Sequence, residues 1–290
     1  MIFPLAKNFP MVRRFIPGRF SPRLPGIFLL LIFATASLSS PAADSTLSFR
    51  QDARHFILMG KGIFLSPLHF TGKEWEKTAV IALGTGFTST VDKDMRRFAL
   101  EHQSDFADRL FEWDKIQGDK YSLWTAAVFY TAGWFTKNQR LHKMGLNSIE
   151  AFVYAGEISS LLKTTIGRRR PYGGDSQYIF KPFHRKTTYR SLPSGHTVTA
   201  FAVSTAFAKS LPNKIWKIFW YGSAGLVAAA RVYHNAHWFS DLFPSAVLGY
   251  VVAEQIVKQP LETDNGRKRR FKTTIRFNRQ HPMIFLSCSW

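Results

Sequence analysis

Five uncharged runs of 12 to 16 residues, at 78–91, 121–136, 197–208, 218–230 and 242–253, each closed off by charge, constrain this chain more than any other feature. They lack the alternation of a half-buried strand and carry helical spacing, so each reads as a helix. All are shorter than the roughly 20 residues a helix needs to cross hydrocarbon. The expectation is an all-α protein, a bundle of about six helices that bury these runs against one another. Short tilted spans with snorkelling Lys and Arg at their ends are the alternative, in which the bundle is membrane-embedded. Trp124, Tyr130, Trp134, Trp216, Trp220 and Tyr221, near the ends of the runs, lean toward a membrane interface. No internal repeat organises the chain.

A hydrophobic content of 46% with 27 Phe in 290 residues supports a packed core and argues against wholesale disorder. The formal charge of +20 favours anionic partners, among which nucleic acid, anionic lipid and phosphorylated substrates are all compatible. Cys288 is the single cysteine, so no intramolecular disulfide forms.

Residues 1–43 read as an address. Lys7, Arg13, Arg14, Arg19 and Arg23 precede an apolar centre at 27–33 and then small residues, the order of a secretory signal; an uncleaved anchor is the alternative. Arg13-Arg14 has the twin-arginine dipeptide in a poorly matching context. Removing this segment, which holds five cations and no acid, lowers the formal +20 to +15. An aromatic and basic entry segment at 44–75, a helical domain at 76–258 and a basic tail at 259–290 complete the expected layout. The tail carries four consecutive cations at 267–270, which beside a bilayer would attract anionic lipid. Alternation near 273–277 and again near the end permits a small hairpin.

Three separated blocks carry the chemistry. In the first, Asn147 with Glu150 has the form of a capping box opening a helix toward Lys163. Arg170 follows seven residues later, close to two turns, so the two cations share a face if the helix tolerates Gly167. Lysine supplies a point charge, and an arginine fork grips two phosphate oxygens. A basic helix end stopped by Pro171 is the plainer reading of Arg168-Arg169-Arg170. In the second, Pro193-Ser194-Gly195-His196 enters the run at 197–208. Ser194 as N-cap leaves the amides of Gly195 and His196 at the positive end of a helix, where an anion fits and His196 can protonate a leaving oxygen. The plainer reading is an ordinary cap. In the third, Arg231, His234, His237 and Asp241 lie at a helix junction. Asp241, four residues beyond His237, can hold one ring nitrogen and leave the other as a nucleophile, with Arg231 gripping the phosphate under attack. His234 keeps a metal alternative open, although a site rich in Lys and Arg repels a cation.

Taken together, these residues resemble the type 2 phosphatidic acid phosphatase and vanadium haloperoxidase superfamily. Its signatures run Lys-x6-Arg-Pro, Pro-Ser-Gly-His and Ser-Arg-x5-His-x3-Asp, in that order. Lys163, Arg170 and Pro171 match the first, residues 193–196 the second, and Arg231, His237 and Asp241 the third; Ala230 departs, standing where the family has serine. The resemblance implies a phosphatase working through a phosphohistidine, with no metal and no cofactor. His237 would attack, Asp241 would orient it and His196 would protonate the departing alcohol. Lys163, Arg170, Arg231, Ser194 and Gly195 would hold the phosphate oxygens. A lipid phosphate or diphosphate is the implied substrate, with a membrane surface as partner, no role for nucleic acid, and the periplasmic side of a cell envelope as the location. The connection at 172–192, with Lys181, Arg185, Lys186 and Arg190, is long enough for a binding loop and is expected to contact the headgroup. A vanadate-dependent haloperoxidase and a non-catalytic basic membrane-binding protein are the competing functions.

Overall fold

The computed structural model describes residues 47–259 and the strand segments 273–276 and 285–288. The expected export segment at 1–43 and the cation run at 267–270 lie outside the described residues. The architecture is the all-α one that the uncharged runs require. Helices α1 (Phe49–Leu65), α2 (Gly72–Thr88), α3 (Asp92–Glu101), α4 (Asp105–Phe111) and α5 (Asp114–Gln117) lead into α6 (Lys120–Phe135), α7 (Gln139–Ile166), α8 (Gly195–Ser210), α9 (Lys214–Tyr233) and α10 (Phe239–Lys258). The five runs fall in α2, α6, α8, α9 and α10. Helices exceed the expected six because the entry segment forms a full helix, α1, and the charged stretch before α6 folds into three short ones. Among the described residues no helix is long and apolar enough to cross a membrane. A two-stranded antiparallel hairpin near the C-terminus pairs β1 (Thr273–Arg276) with β2 (Phe285–Cys288), Thr273 opposite Cys288 and Arg276 opposite Phe285.

The core that positions the site lies between α7, α8 and α10. Ala151, Tyr154 and Ala155 from α7 meet Val198, Ala202 and Ala206 from α8 and Val252, Ala253 and Ile256 from α10, with Ile63 of α1 beside them. Alanines at the crossings let the helix backbones approach closely, and the Val and Ile side chains each contribute about 1.5–3 kcal/mol by burial. A second small cluster of Ala200, Ala224 and Val227 ties α8 to α9.

Two local expectations are corrected. Helix α7 opens at Asn138, whose Oδ1 accepts from the amides of Arg140 and Leu141, and not at Asn147. Asn147 and Glu150 are buried within it, and Glu150 sits 2.8 Å from His55 Nδ1 of α1. A tertiary partner has taken the carboxylate that a capping box would use. The helix also ends earlier than the Lys163 to Arg170 spacing suggested. Gly167 terminates it at φ 64, a left-handed cap that favours glycine. Arg170 therefore reaches the site from the connection and not from the face that carries Lys163. A Cβ at Gly167 would lie 2.0 Å from the carbonyl oxygen of Lys181. Gly167→Ala is expected to lower stability by about 2 kcal/mol or more, from the left-handed backbone and the displaced chain together, as read by urea denaturation.

Candidate active site

All three blocks converge where the end of α7, the start of α8 and the α9–α10 junction meet. Glycine at 195 is what permits this: a Cβ there would stand 2.5 Å from Lys163 Nζ, so the ammonium lies directly against the first turn of α8. Ser194 is the N-cap residue and is fully buried, but its side chain makes no cap hydrogen bond to the backbone. Its hydroxyl instead accepts from Thr197 Oγ1 at 2.9 Å, and its amide donates to Ser245 Oγ at 2.7 Å. The helix thus begins with amides not claimed by its own cap, the arrangement that suits an anion.

His237 is 2% exposed at the α9–α10 junction. Its Nδ1 lies 2.7 Å from the carbonyl oxygen of Ser191 and 3.6 Å from Asp241 Oδ2. A carbonyl only accepts, so Nδ1 carries the proton and Nε2 keeps its lone pair. The sequence assigned this task to Asp241; in the structure the Ser191 carbonyl is the nearer partner, and the carboxylate faces the same nitrogen from 3.6 Å. Asp241 also acts one step further out. Its Oδ2 accepts from Ser191 Oγ at 2.5 Å and from the Trp238 amide at 2.9 Å, and its Oδ1 accepts from Arg168 Nη1 at 2.6 Å. Asp241 therefore fixes the residue that fixes the histidine. Burial, joined by the charges of Arg170 and Arg231, pushes the His237 imidazole down to about 3 against the opposing pull of Asp241. Burial alone would raise the Asp241 carboxyl, but His237, Arg168 and Ser191 outweigh it and hold the group low.

Arg168 was read as part of a basic helix end. It is instead 2% exposed, past the end of α7, and bridges two carboxylates: Asp92 Oδ2 at 2.7 Å and Asp241 Oδ1 at 2.6 Å. Its Nη1 also donates to Ser240 Oγ at 2.8 Å and its Nε to the Gln177 carbonyl at 3.0 Å. Asp92 in turn accepts from the amide and hydroxyl of Ser240.

On the opposite side Arg231 donates to Asp114 Oδ2 at 2.5 Å, and His234 Nδ1 lies 3.2 Å from the same oxygen. His234 and His237 therefore turn to different partners and do not converge on a common ligand position. Among the described residues no group of three or more His, Cys, Asp or Glu side chains is placed to hold a metal ion. Ala230, where the family has serine, is completely buried in α9. The Nε atoms of Arg170 and Arg231 are buried donors without a protein partner, as expected of forks directed at an anion. Burial, then repulsion by Arg170, Arg190 and Arg231, lowers the Lys163 ammonium to about 8. Burial and the nearby Arg231 likewise push His196 down to about 4.

In the 172–192 connection the four cations divide. Lys181, Arg185 and Lys186 are exposed, Lys181 lying 5.1 Å from the Tyr189 ring centroid, whereas Arg190 is half-buried and donates to Ser160 Oγ at 3.0 Å. Asp92, Asp114, Ser191, Ser240 and Ser245 escaped the sequence reading. Asp92 and Asp114 lie far from the blocks in sequence and reach them only through the fold. Ser191, two residues before the Pro193 block, acts through its carbonyl as well as its hydroxyl, and a carbonyl leaves no trace in residue type.

Comparison with known proteins agrees with this geometry. The PAP2 superfamily model matches residues 144–262, a span that takes in all three blocks. The chain is 32% identical over 99 residues to a lipid A 1-phosphatase of Rhizobium johnstonii, covering 33% of this chain and 40% of that protein. It is 29% identical over 112 residues to an undecaprenyl-diphosphatase of Sulfolobus acidocaldarius, covering 38% of this chain and 52% of that protein. The matches thus span about half, or less, of the length of these relatives. Among solved structures, a PAP2 type phosphatidylglycerolphosphate phosphatase from Bacillus subtilis aligns with a TM-score of 0.47 at 18% identity, over 71% of this chain and 94% of that one.

Proposed function

We propose that this protein is a metal-independent phosphatase that hydrolyses a phosphate or diphosphate carried by a lipid, through a phosphohistidine at His237. The observation that carries the reading is the 2.7 Å contact from His237 Nδ1 to the Ser191 carbonyl, which leaves Nε2 unprotonated as the nucleophile in the field of Arg170 and Arg231. In the first step Nε2 forms a bond to phosphorus as the bond from phosphorus to the leaving oxygen breaks, and His196 gives that oxygen its proton. In the second, water attacks the phosphohistidine, His196 takes the proton from the water, and inorganic phosphate leaves with His237 restored. Lys163, Arg170, Arg231, Ser194 and the Gly195 amide hold the equatorial oxygens as charge redistributes. A pocket lined by these cations repels a divalent ion and has no need of one.

His196 must be protonated to act first as an acid, yet burial, with Arg231 adding to it, holds the ring near 4. A phosphate dianion opposes the field of that cation, so substrate binding itself favours the protonated ring. Lys163 sets the other side of the profile. The plot of kcat/KM against pH is expected to fall with a midpoint near pH 8 as Lys163 loses its proton, and Lys163→Arg is expected to carry the fall upward. A profile of the unaltered protein that stays flat to about pH 10 contradicts the assignment of Lys163.

The lipid half of the reading draws on the similarity to a lipid A 1-phosphatase and an undecaprenyl-diphosphatase and on exposed aromatics in the connection, Tyr172, Tyr178, Phe180 and Phe183. With the export order of residues 1–43, it puts the enzyme on the periplasmic side of a cell envelope, working at a membrane surface. The test is a phosphate-release panel of lipid A, phosphatidic acid, a polyprenyl diphosphate and p-nitrophenyl phosphate, with quenching in alkaline SDS to isolate any phosphoenzyme. An acid-labile, base-stable phosphoenzyme and preference for a lipid are the expected results. Preference for the soluble ester removes the lipid assignment, and bromide oxidation on adding vanadate would favour the haloperoxidase instead.

A further inference from the structure

Arg190 belongs to none of the three blocks, yet its place in the fold sets it apart from the other cations of its loop. Lys181, Arg185 and Lys186 point to solvent, while Arg190 is drawn inward to Ser160 Oγ, 3.0 Å away. Ser160 lies on α7 three residues, just under one turn, before Lys163. On its other side Arg190 is bonded to Ser191, whose carbonyl holds His237 and whose hydroxyl holds Asp241. The guanidinium is therefore suspended between the helix that supplies the lysine and the residue that orients the nucleophile.

Its charge is also uncommitted. Arg168 is answered by Asp92 and Asp241, and Arg231 by Asp114. Among the described residues Arg190 has no carboxylate within ion-pair distance; its partner is the neutral hydroxyl of Ser160, which occupies one nitrogen of the fork. A half-buried guanidinium carries a desolvation cost that a hydroxyl does not offset, and an anion in the adjoining pocket does. We propose that Arg190 is a further substrate-binding residue of this centre, gripping the phosphate group beside Lys163 and Arg170. The proposal rests on the phosphatase reading above. Repulsion from Arg190 contributes to the lowered ammonium of Lys163, which is consistent with the two side chains serving one pocket.

The experiment uses the purified full-length chain with phosphatidic acid in nonionic detergent micelles and orthovanadate as inhibitor, across pH. Arg190→Gln is expected to raise KM and the vanadate inhibition constant about 10- to 100-fold, the range for one charge-assisted hydrogen bond. Arg190→Lys is expected to recover about tenfold of that loss, and Ser160→Ala to stay within about threefold of the unaltered protein. Arg190→Gln should also move the alkaline limb of kcat/KM upward, because Lys163 loses a repelling neighbour; a purely structural role would not do this. The proposal is overturned if Arg190→Gln leaves KM and vanadate inhibition within about threefold, if Ser160→Ala reproduces its loss, or if both Arg190 variants fail to fold. Absence of phosphate release from every lipid by the unaltered protein would instead bring down the phosphatase reading itself.

Discussion

Replacing His237 with alanine is expected to reduce phosphate release by roughly 10⁴- to 10⁶-fold, the cost of deleting a covalent nucleophile whose partners act only through it. The phosphoenzyme band in reactions quenched with alkaline SDS should vanish with it. Binding of vanadate should survive in weakened form, since Lys163, Arg170 and Arg231 remain. Helical circular dichroism must match the unaltered protein for the comparison to hold, because the ring is buried. Release that persists within tenfold, or a phosphoenzyme that persists at all, moves the nucleophile elsewhere and ends the proposed mechanism.

The second large effect is expected behind the nucleophile, at Arg168, which holds Asp241. Substituting methionine keeps much of the volume and removes the charge, leaving Asp92 and Asp241 buried without the cation that separates them. Breaking a buried pair on one side typically costs about 3–5 kcal/mol, and here two carboxylates lose one partner. Urea denaturation of Arg168→Met should therefore show a loss of that order, with activity falling in step as Asp241 releases Ser191. A loss under about 1 kcal/mol would mean that one carboxyl takes up a proton at little cost, and that Arg168 is not the anchor described here.

What the sequence disclosed and what it withheld divide along a physical line. Helices α6, α8, α9 and α10 were legible because a helix is uncharged along the stretch it packs, and charge marks where packing stops. The run in α2 was legible as helix by the same pattern, although no residue of Gly72–Thr88 is buried. The cations and histidines of the site were legible because side-chain chemistry and spacing both survive in the letters. Asp114 and Asp92 were not, since each acquires its partner by tertiary contact across more than 70 residues. The cap at Asn147 misled for a related reason. Local pattern identified a satisfied backbone, but His55 on a distant helix had already engaged the carboxylate of Glu150. Arg168 was hidden by its neighbours, because three consecutive arginines look alike until one of them is buried.

The connection between residues 168 and 191 is fastened at its neck. The amide of Ser191 donates to the carbonyl of Arg168 at 3.0 Å, while the two side chains meet on the same Asp241. Within the clasp the backbone is laced again, the Arg169 amide to the Ile179 carbonyl, the Lys181 amide to that of Gly167 and the Phe183 amide to that of Thr164. Arg170 and Arg190 sit inside the same clasp, so a graft made between its two ends would carry the phosphate grip along with the loop. The exposed side chains of Tyr178, Phe183, Arg185 and Lys186 are what can be exchanged without disturbing the imidazole tautomer.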